Sequence, residues 1–232
     1  IDSIANNTEA PTFANTIEKM DFSGELLKKV SSAFFNVQSA DTNDDLDSIA
    51  KEITPELTAH NDNIYLNDKL FQRVKTLYDN RTNLGLTAEQ NRLLEKYYKN
   101  FIRSGAALNE TQKAGLREIN KELSSAELNF AQNVLAETNA YQKFVTSKDE
   151  LKGLPEGVIQ AAAEGAKEAG KEGQWLFTTQ KSSFIPVLQY GENRELRKEL
   201  LMEYTTRCNH DNAYDNKKLI NTIMKLRVKK AQ

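Results

Sequence analysis

The stretch "NETQKAGLREINKELSSAELNFAQNVLAE", residues 109–137, carries apolar side chains at Leu116, Ile119, Leu123, Ala126, Phe130 and Val134. These positions step by threes and fours, which lines them up on one face of a helix with 3.6 residues per turn and does not suit a strand, whose faces alternate every two residues. Asn109 stands just before the pattern, where its side-chain oxygen can accept from the free N–H groups of a first turn. One long amphipathic helix of about 30 residues is therefore expected here, and with it a mainly α protein.

The same signals recur toward the N-terminus. "TAEQ" at 87–90 is a capping box opening a helix with Leu93, Leu94, Tyr97, Tyr98, Phe101 and Ile102. Asn67 starts one with Leu70, Phe71, Val74, Leu77 and Tyr78 that ends near "NRTNLG", and Thr42 or Asn43 caps one with Leu46, Ile49, Ile53, Leu57 and Ile64. Pro55 falls inside that last pattern and should kink or divide it. Ser23 or Gly24 opens a helix whose Leu26, Leu27, Val30, Phe34 and Val37 read as a core stripe, and Thr12 to Asp21 forms a short helix with Phe13, Ile17 and Met20 on one face. "IDSIANN" at 1–7 reads as the end of a helix, and the terminal "LINTIMKLRVKKAQ" stops with its apolar stripe still running, so both ends are expected to continue into a longer polypeptide.

Toward the C-terminus the texture changes after Tyr141. "KFVT" (143–146) and "QWLFTT" (174–179) are short, β-branched and aromatic, and predict a two-strand ribbon. Between them lie "SKDE" at 147–150, a second capping-box pattern, and an alanine-rich helix over about 155–170 that ends at Gly170. Ser182 or Ser183 should cap a short helix with Pro186 in its first turn, Asn193 one running to about Arg207, and Asp215 the last, with Leu219, Ile220, Ile223 and Met224 as its buried stripe. No self-similarity at 30–50 residues is present. The organisation expected is a multi-helix lobe of long antiparallel amphipathic helices over residues 1–232, or a helical body at 1–140 with a helix and ribbon region at 141–232.

Composition agrees with this. The 232 residues are 39% hydrophobic and 28% charged, with only 10 Gly and 4 Pro, which favours helices over sandwich or disordered chains. Lys plus Arg number 31 and Asp plus Glu 33, a net charge of −2, so no positive field points to nucleic acid. No apolar run approaches the roughly 18 residues that a membrane span needs.

Chemistry-bearing residues are sparse. "RCNHDN" at 207–212 holds the single cysteine, Cys208, and one of two histidines, His210. Zinc needs three or four ligands and these supply two at most, with His60 about 150 residues away. A Cys–His nucleophilic pair also lacks a group to orient the imidazole or lower the thiol pKa. A polar interhelical loop is the expected reading. There is no HExxH, CxxC, GxxxxGK[ST] or GxGxxG, so no catalytic, metal or cofactor residue is expected within the chain. The basic residues Lys217, Lys218, Lys225, Arg227, Lys229 and Lys230 read as a solvated helix face, and the cluster Tyr97, Tyr98 and Phe101 as core.

Longer stretches carry a resemblance. "LNDKLFQRVKTLYDNR" (66–81), "LTAEQNRLLEKYYKNFIRSGAAL" (86–108) and "NRELRKELLMEYTTR" (193–207) resemble the N-terminal half of the thimet oligopeptidase family of zinc metallopeptidases, and most of all its bacterial peptidyl-dipeptidase branch. The order and spacing of "NFAQNVL" (129–135), "ELKGLP" (150–155) and "FIPVLQYGENRELR" (184–197) are similar too. Two departures are Ser182-Ser183, where Pro-Ser is expected, and Cys208, where Gly often follows "TTR". The resemblance implies the N-terminal lobe of a two-lobed helical enzyme, in either the bacterial cytoplasm or the cell envelope. Zinc and the HExxH helix would lie beyond the position of Gln232, and the missing catalytic lobe and short unfolded peptides would be the partners. This chain would then supply a channel wall without a catalytic group, its wall residues not identified individually. An oligoendopeptidase of the same family and a free-standing helical interaction module are the alternatives.

Overall fold

A computed structural model describes residues 1–232. The chain is mainly α with one small antiparallel sheet, in the order α1 (Asp2–Ala5), a π-helical turn (Phe13–Glu18) leading into α2 (Lys19–Asp21), α3 (Glu25–Ala40), α4 (Asp44–Tyr65), α5 (Asp68–Asp79), α6 (Ala88–Arg103), α7 (Glu110–Ala140), β1 (Lys143–Val145), α8 (Glu156–Glu168), β2 (Trp175–Phe177), α9 (Lys181–Tyr190), α10 (Arg194–Thr205) and α11 (Lys217–Ala231). It divides into two compact units, residues 1–128 with 223–232, and residues 129–222. The divisions fall inside α7 and α11.

Local chemistry sets most helix starts. The side chains of Asn43, Asn67 and Asn193 each accept from the backbone N–H three residues on. Thr87 with Gln90, and Asn109 with Gln112, form reciprocal pairs that satisfy two free donors apiece. Thr12 and Asn15 do the same at the start of the π turn.

In the first unit Leu70, Phe71, Val74 and Leu77 of α5 pack with Leu94 and Phe101 of α6 and with Ile4, Ile17 and Met20. Each such side chain contributes about 1.5–3 kcal/mol when fully buried. Of the cluster expected as core, Phe101 is buried, and Tyr97 and Tyr98 pack half-buried against it, Tyr98 stacking on Tyr78 at 3.9 Å and 5°. Arg73, itself buried, donates to the carbonyls of Asn7 (2.8 Å) and Glu9 (2.9 Å), to Asn15 Oδ1 (2.9 Å) and to Thr16 Oγ1 (3.2 Å), clasping the N-terminal segment onto α5.

In the second unit β1 and β2 pair antiparallel with Phe144 opposite Leu176. Val145 and Phe177 point into a core with Phe184 and Val187 of α9 and Leu196 and Leu200 of α10. Gly153 has φ +85°, and a Cβ there would sit 2.2 Å from the Tyr190 carbonyl oxygen. Glycine is required at that crossing.

Several expectations are corrected. The stripe on α3 is not core: Leu26 is 75% exposed, Val30 59% and Val37 52%, because amphipathicity says which face is apolar and not whether anything covers it. On α11 Ile223 is buried, but Ile220 and Met224 are exposed and Leu226 takes the inner position. Pro55 does not divide α4, which runs on through it. Phe13–Glu18 is π-helical rather than α. Ser147 caps only a 3₁₀ turn, Lys148–Leu151, since Glu150 accepts from Asn193 Nδ2 instead of closing a box. α9 starts from Gln180, ahead of the expected serines, because Ser183 Oγ accepts from the Thr178 N–H.

Candidate functional site

The two chemistry-bearing side chains of the sequence, Cys208 and His210, lie on the loop after α10, and the structure adds a third that the sequence did not flag. Glu137, in the last turn of α7, is 7% exposed. Its Oε2 accepts from the Cys208 backbone N–H. Its Oε1 accepts from Asn212 Nδ2 at 2.7 Å and faces His210 Nδ1 at 3.2 Å, while His210 Nε2 lies 2.9 Å from Thr206 Oγ1. Asn216, 1% exposed, closes the far end of the loop by donating to the Phe130 carbonyl (3.1 Å) and accepting from Asn133 (2.9 Å).

A buried carboxylate is costly unless it is surrounded by donors. Burial alone would raise the Glu137 pKa, but the donors from Asn212, Cys208 and His210 outweigh it and hold the carboxyl below its ordinary value. The neighbouring thiol moves the other way. Burial first, and then the Glu137 charge, push Cys208 up to about 11.

The chemistry of this cluster follows from those facts. Nucleophilic attack and zinc ligation both need a thiolate, and here the thiolate is disfavoured while both imidazole nitrogens already face polar partners. The donor set does not fit a zinc ion. It fits a structural role, in which Glu137 gathers a loop whose Cys208 (φ 59°) and Asp211 (φ 53°) hold left-handed backbone that non-glycine residues adopt at a cost.

The other feature of note is the uncovered apolar face of the first unit. Leu27, Val30 and Phe34 of α3 and Ile49 and Ile53 of α4 line an open groove of about 520 Å³, with His60 at its polar edge. His60 is exposed there, in the first unit, whereas Cys208 and His210 belong to the second.

No protein-family model matches the chain. Individual relatives do. The chain is similar over 231 residues, its whole length, to the dipeptidyl carboxypeptidase of Escherichia coli, at 34% identity and covering 34% of that protein. It is 34% identical over 227 residues to the dipeptidyl carboxypeptidase of Salmonella typhimurium, covering 98% of the chain and 33% of that protein. These relatives are members of the thimet oligopeptidase family. Another relative, oligopeptidase A of Haemophilus influenzae, is 29% identical over 225 residues, 95% of the chain and 33% of that protein. The chain spans about a third of the length of these curated relatives, and the family match falls in their N-terminal part. No helix is long and apolar enough to cross a membrane.

Proposed function

We propose that this chain is the N-terminal lobe of a zinc metallopeptidase that hydrolyses short peptides and releases dipeptides from their C-termini. The observation that carries the reading is the unbroken similarity, at 34% identity, to two proteins named dipeptidyl carboxypeptidase, against 29% or less for the relatives named oligopeptidase A. In this reading zinc is held outside these 232 residues. A metal there would polarise the scissile carbonyl and activate water. The present helices would bound the substrate channel, orient the peptide and exclude water from it. The apolar groove between α3 and α4 supports this, since an exposed apolar patch of that kind marks a surface that something else covers.

The test is an assay of zinc content and of dipeptide release from an N-blocked short peptide, on the chain alone and on the parent protein. A zinc-free, inactive chain with a zinc-dependent parent that releases C-terminal dipeptides supports the proposal. Internal cleavage by the parent would make it an oligoendopeptidase instead. Zinc-dependent cleavage by the chain alone, or a parent without peptidase activity, would overturn the lobe reading, and the latter would favour a helical interaction module.

A further inference from the structure

The apolar groove of the first unit is built from two helices held in a fixed register. Gln38 Nε2 donates to Asp47 Oδ1 at 2.8 Å, and Thr42 Oγ1 donates to the same oxygen at 2.7 Å, pinning the end of α3 to the start of α4. Leu27, Val30 and Phe34 line one side of the groove, and Ile49 and Ile53 the other. Leu26 and Val37, which share the Val30 side of α3 by helical spacing, extend the apolar surface along it, and both are exposed.

A column of carboxylates runs along the α4 side. Asp45, Glu52 and Glu56 are interleaved with Ile49 and Ile53 at steps of three and four, so all five share one face of the helix. The three carboxylates are exposed, and none of the chain's ion pairs includes them. Asp45 lies in the first turn, where the helix dipole accounts for it. Glu52 and Glu56 have no such reason, since like charges at i and i+4 repel and destabilise their own helix. The groove is therefore apolar along its floor and carries an acidic edge that nothing in the chain neutralises.

The complement of such a surface is an amphipathic helix whose apolar stripe is bordered by Lys or Arg. We propose that a helix of this kind, contributed by the part of the parent polypeptide outside these 232 residues, lies in the α3–α4 groove. The inference rests on the lobe reading for that longer parent and deepens it by naming what covers this face. Two observations choose the occupant. The chain covers 34% of the Escherichia coli relative, so a parent of that size holds about two thirds of its residues elsewhere and has helices to supply. A second copy of this hairpin fits less well, because α3 carries only Lys28 and Lys29, of which Lys29 already pairs with Glu25 at 2.7 Å, and a second α4 brings more carboxylates. The 16 residues of α3 extend about 24 Å at 1.5 Å per residue, which suits a docked helix of about four turns. Its apolar side chains at threes and fours seat between Val30 and Ile53, and its basic edge meets Glu52 and Glu56.

The experiment places a thiol in the groove with Val30→Cys and, on the opposite side, with Ile49→Cys. Its reaction with iodoacetamide is read at that residue by peptide mass spectrometry in the isolated chain, in the parent protein and in the urea-unfolded parent. Labelling in the isolated chain should come within a few-fold of the unfolded rate, and in the parent it should be at least tenfold slower, at low and at hundredfold higher protein concentration alike. Glu52→Lys with Glu56→Lys should speed labelling in the parent several-fold and leave the isolated chain unchanged. Equal labelling of parent and chain, protection that appears only at the higher concentration and so belongs to a second copy, or a parent rate indifferent to the two lysines would each overturn the inference. A parent that releases dipeptides yet labels freely at both positions loses this docking and keeps its proposed function. Protection in a parent without peptidase activity does the reverse.

Discussion

Replacing Glu137 by alanine should cost the second unit about 3 kcal/mol. The Cys208 N–H is buried and loses its acceptor, at about 1–3 kcal/mol. Asn212 and His210 lose theirs too, but both sit near solvent and water replaces the carboxylate, so each adds only about 0.5–1 kcal/mol. Glu137→Gln keeps one acceptor oxygen and should cost about half as much. The single tryptophan, Trp175 on β2, lies in the same unit, so urea unfolding followed by its fluorescence reads the affected part of the molecule directly. The pH dependence gives a second arm. The Glu137 carboxyl is held below its ordinary value of 4.5 in the folded chain, so its stabilisation is present above that value and is lost as pH falls through the depressed one. Both variants should lack this acid-sensitive component. A loss under about 1 kcal/mol for Glu137→Ala, or an unchanged acid limb, would refute the idea that this carboxylate organises the loop.

Four further outcomes are expected. At position 208, glycine should be more stable than alanine by about 1 kcal/mol in urea melts, since the left-handed backbone penalises a Cβ. The native thiol, buried and raised to about 11, should resist a thiol reagent at pH 7 to 8 and react once the chain is unfolded; prompt native reaction would contradict the burial. Gly153→Ala should lower stability by about 2 kcal/mol or more, from positive φ plus the clash with the Tyr190 carbonyl. Leu26→Glu and Val30→Glu should change chain stability by less than about 0.5 kcal/mol in the same melts, whereas a large loss would show that the α3 stripe is covered after all.

Legibility in the sequence followed the range of the interaction. Asn43, Asn67, Thr87 with Gln90, and Asn109 act within three residues of themselves, so their helix starts could be read directly. The ribbon was also local in its signal, since two β-branched and aromatic runs stood out from helical surroundings. Glu137 was not legible. It sits on the polar side of an amphipathic pattern, and its partners arrive about 70 residues later. Glu150 was misassigned for the same reason, because Asn193 competes for it from 43 residues away. The exposure of Leu26 and Val30 could not be read at all, since periodicity carries no information on what lies opposite. The hydrogen bond from Asn120 to the buried Asp62 spans 58 residues, and no motif announces it.

The Arg73 clasp has a consequence for how the chain acquires its shape. Its four acceptors lie 57 to 66 residues upstream of the guanidinium that holds them, and during synthesis at about 5–20 residues per second the N-terminal segment emerges several seconds before its clasp exists. Until α5 has formed, residues 7–16 have no anchor for their carbonyls, so this segment is made several seconds before it can settle and is open to proteases and to chaperones in the interval.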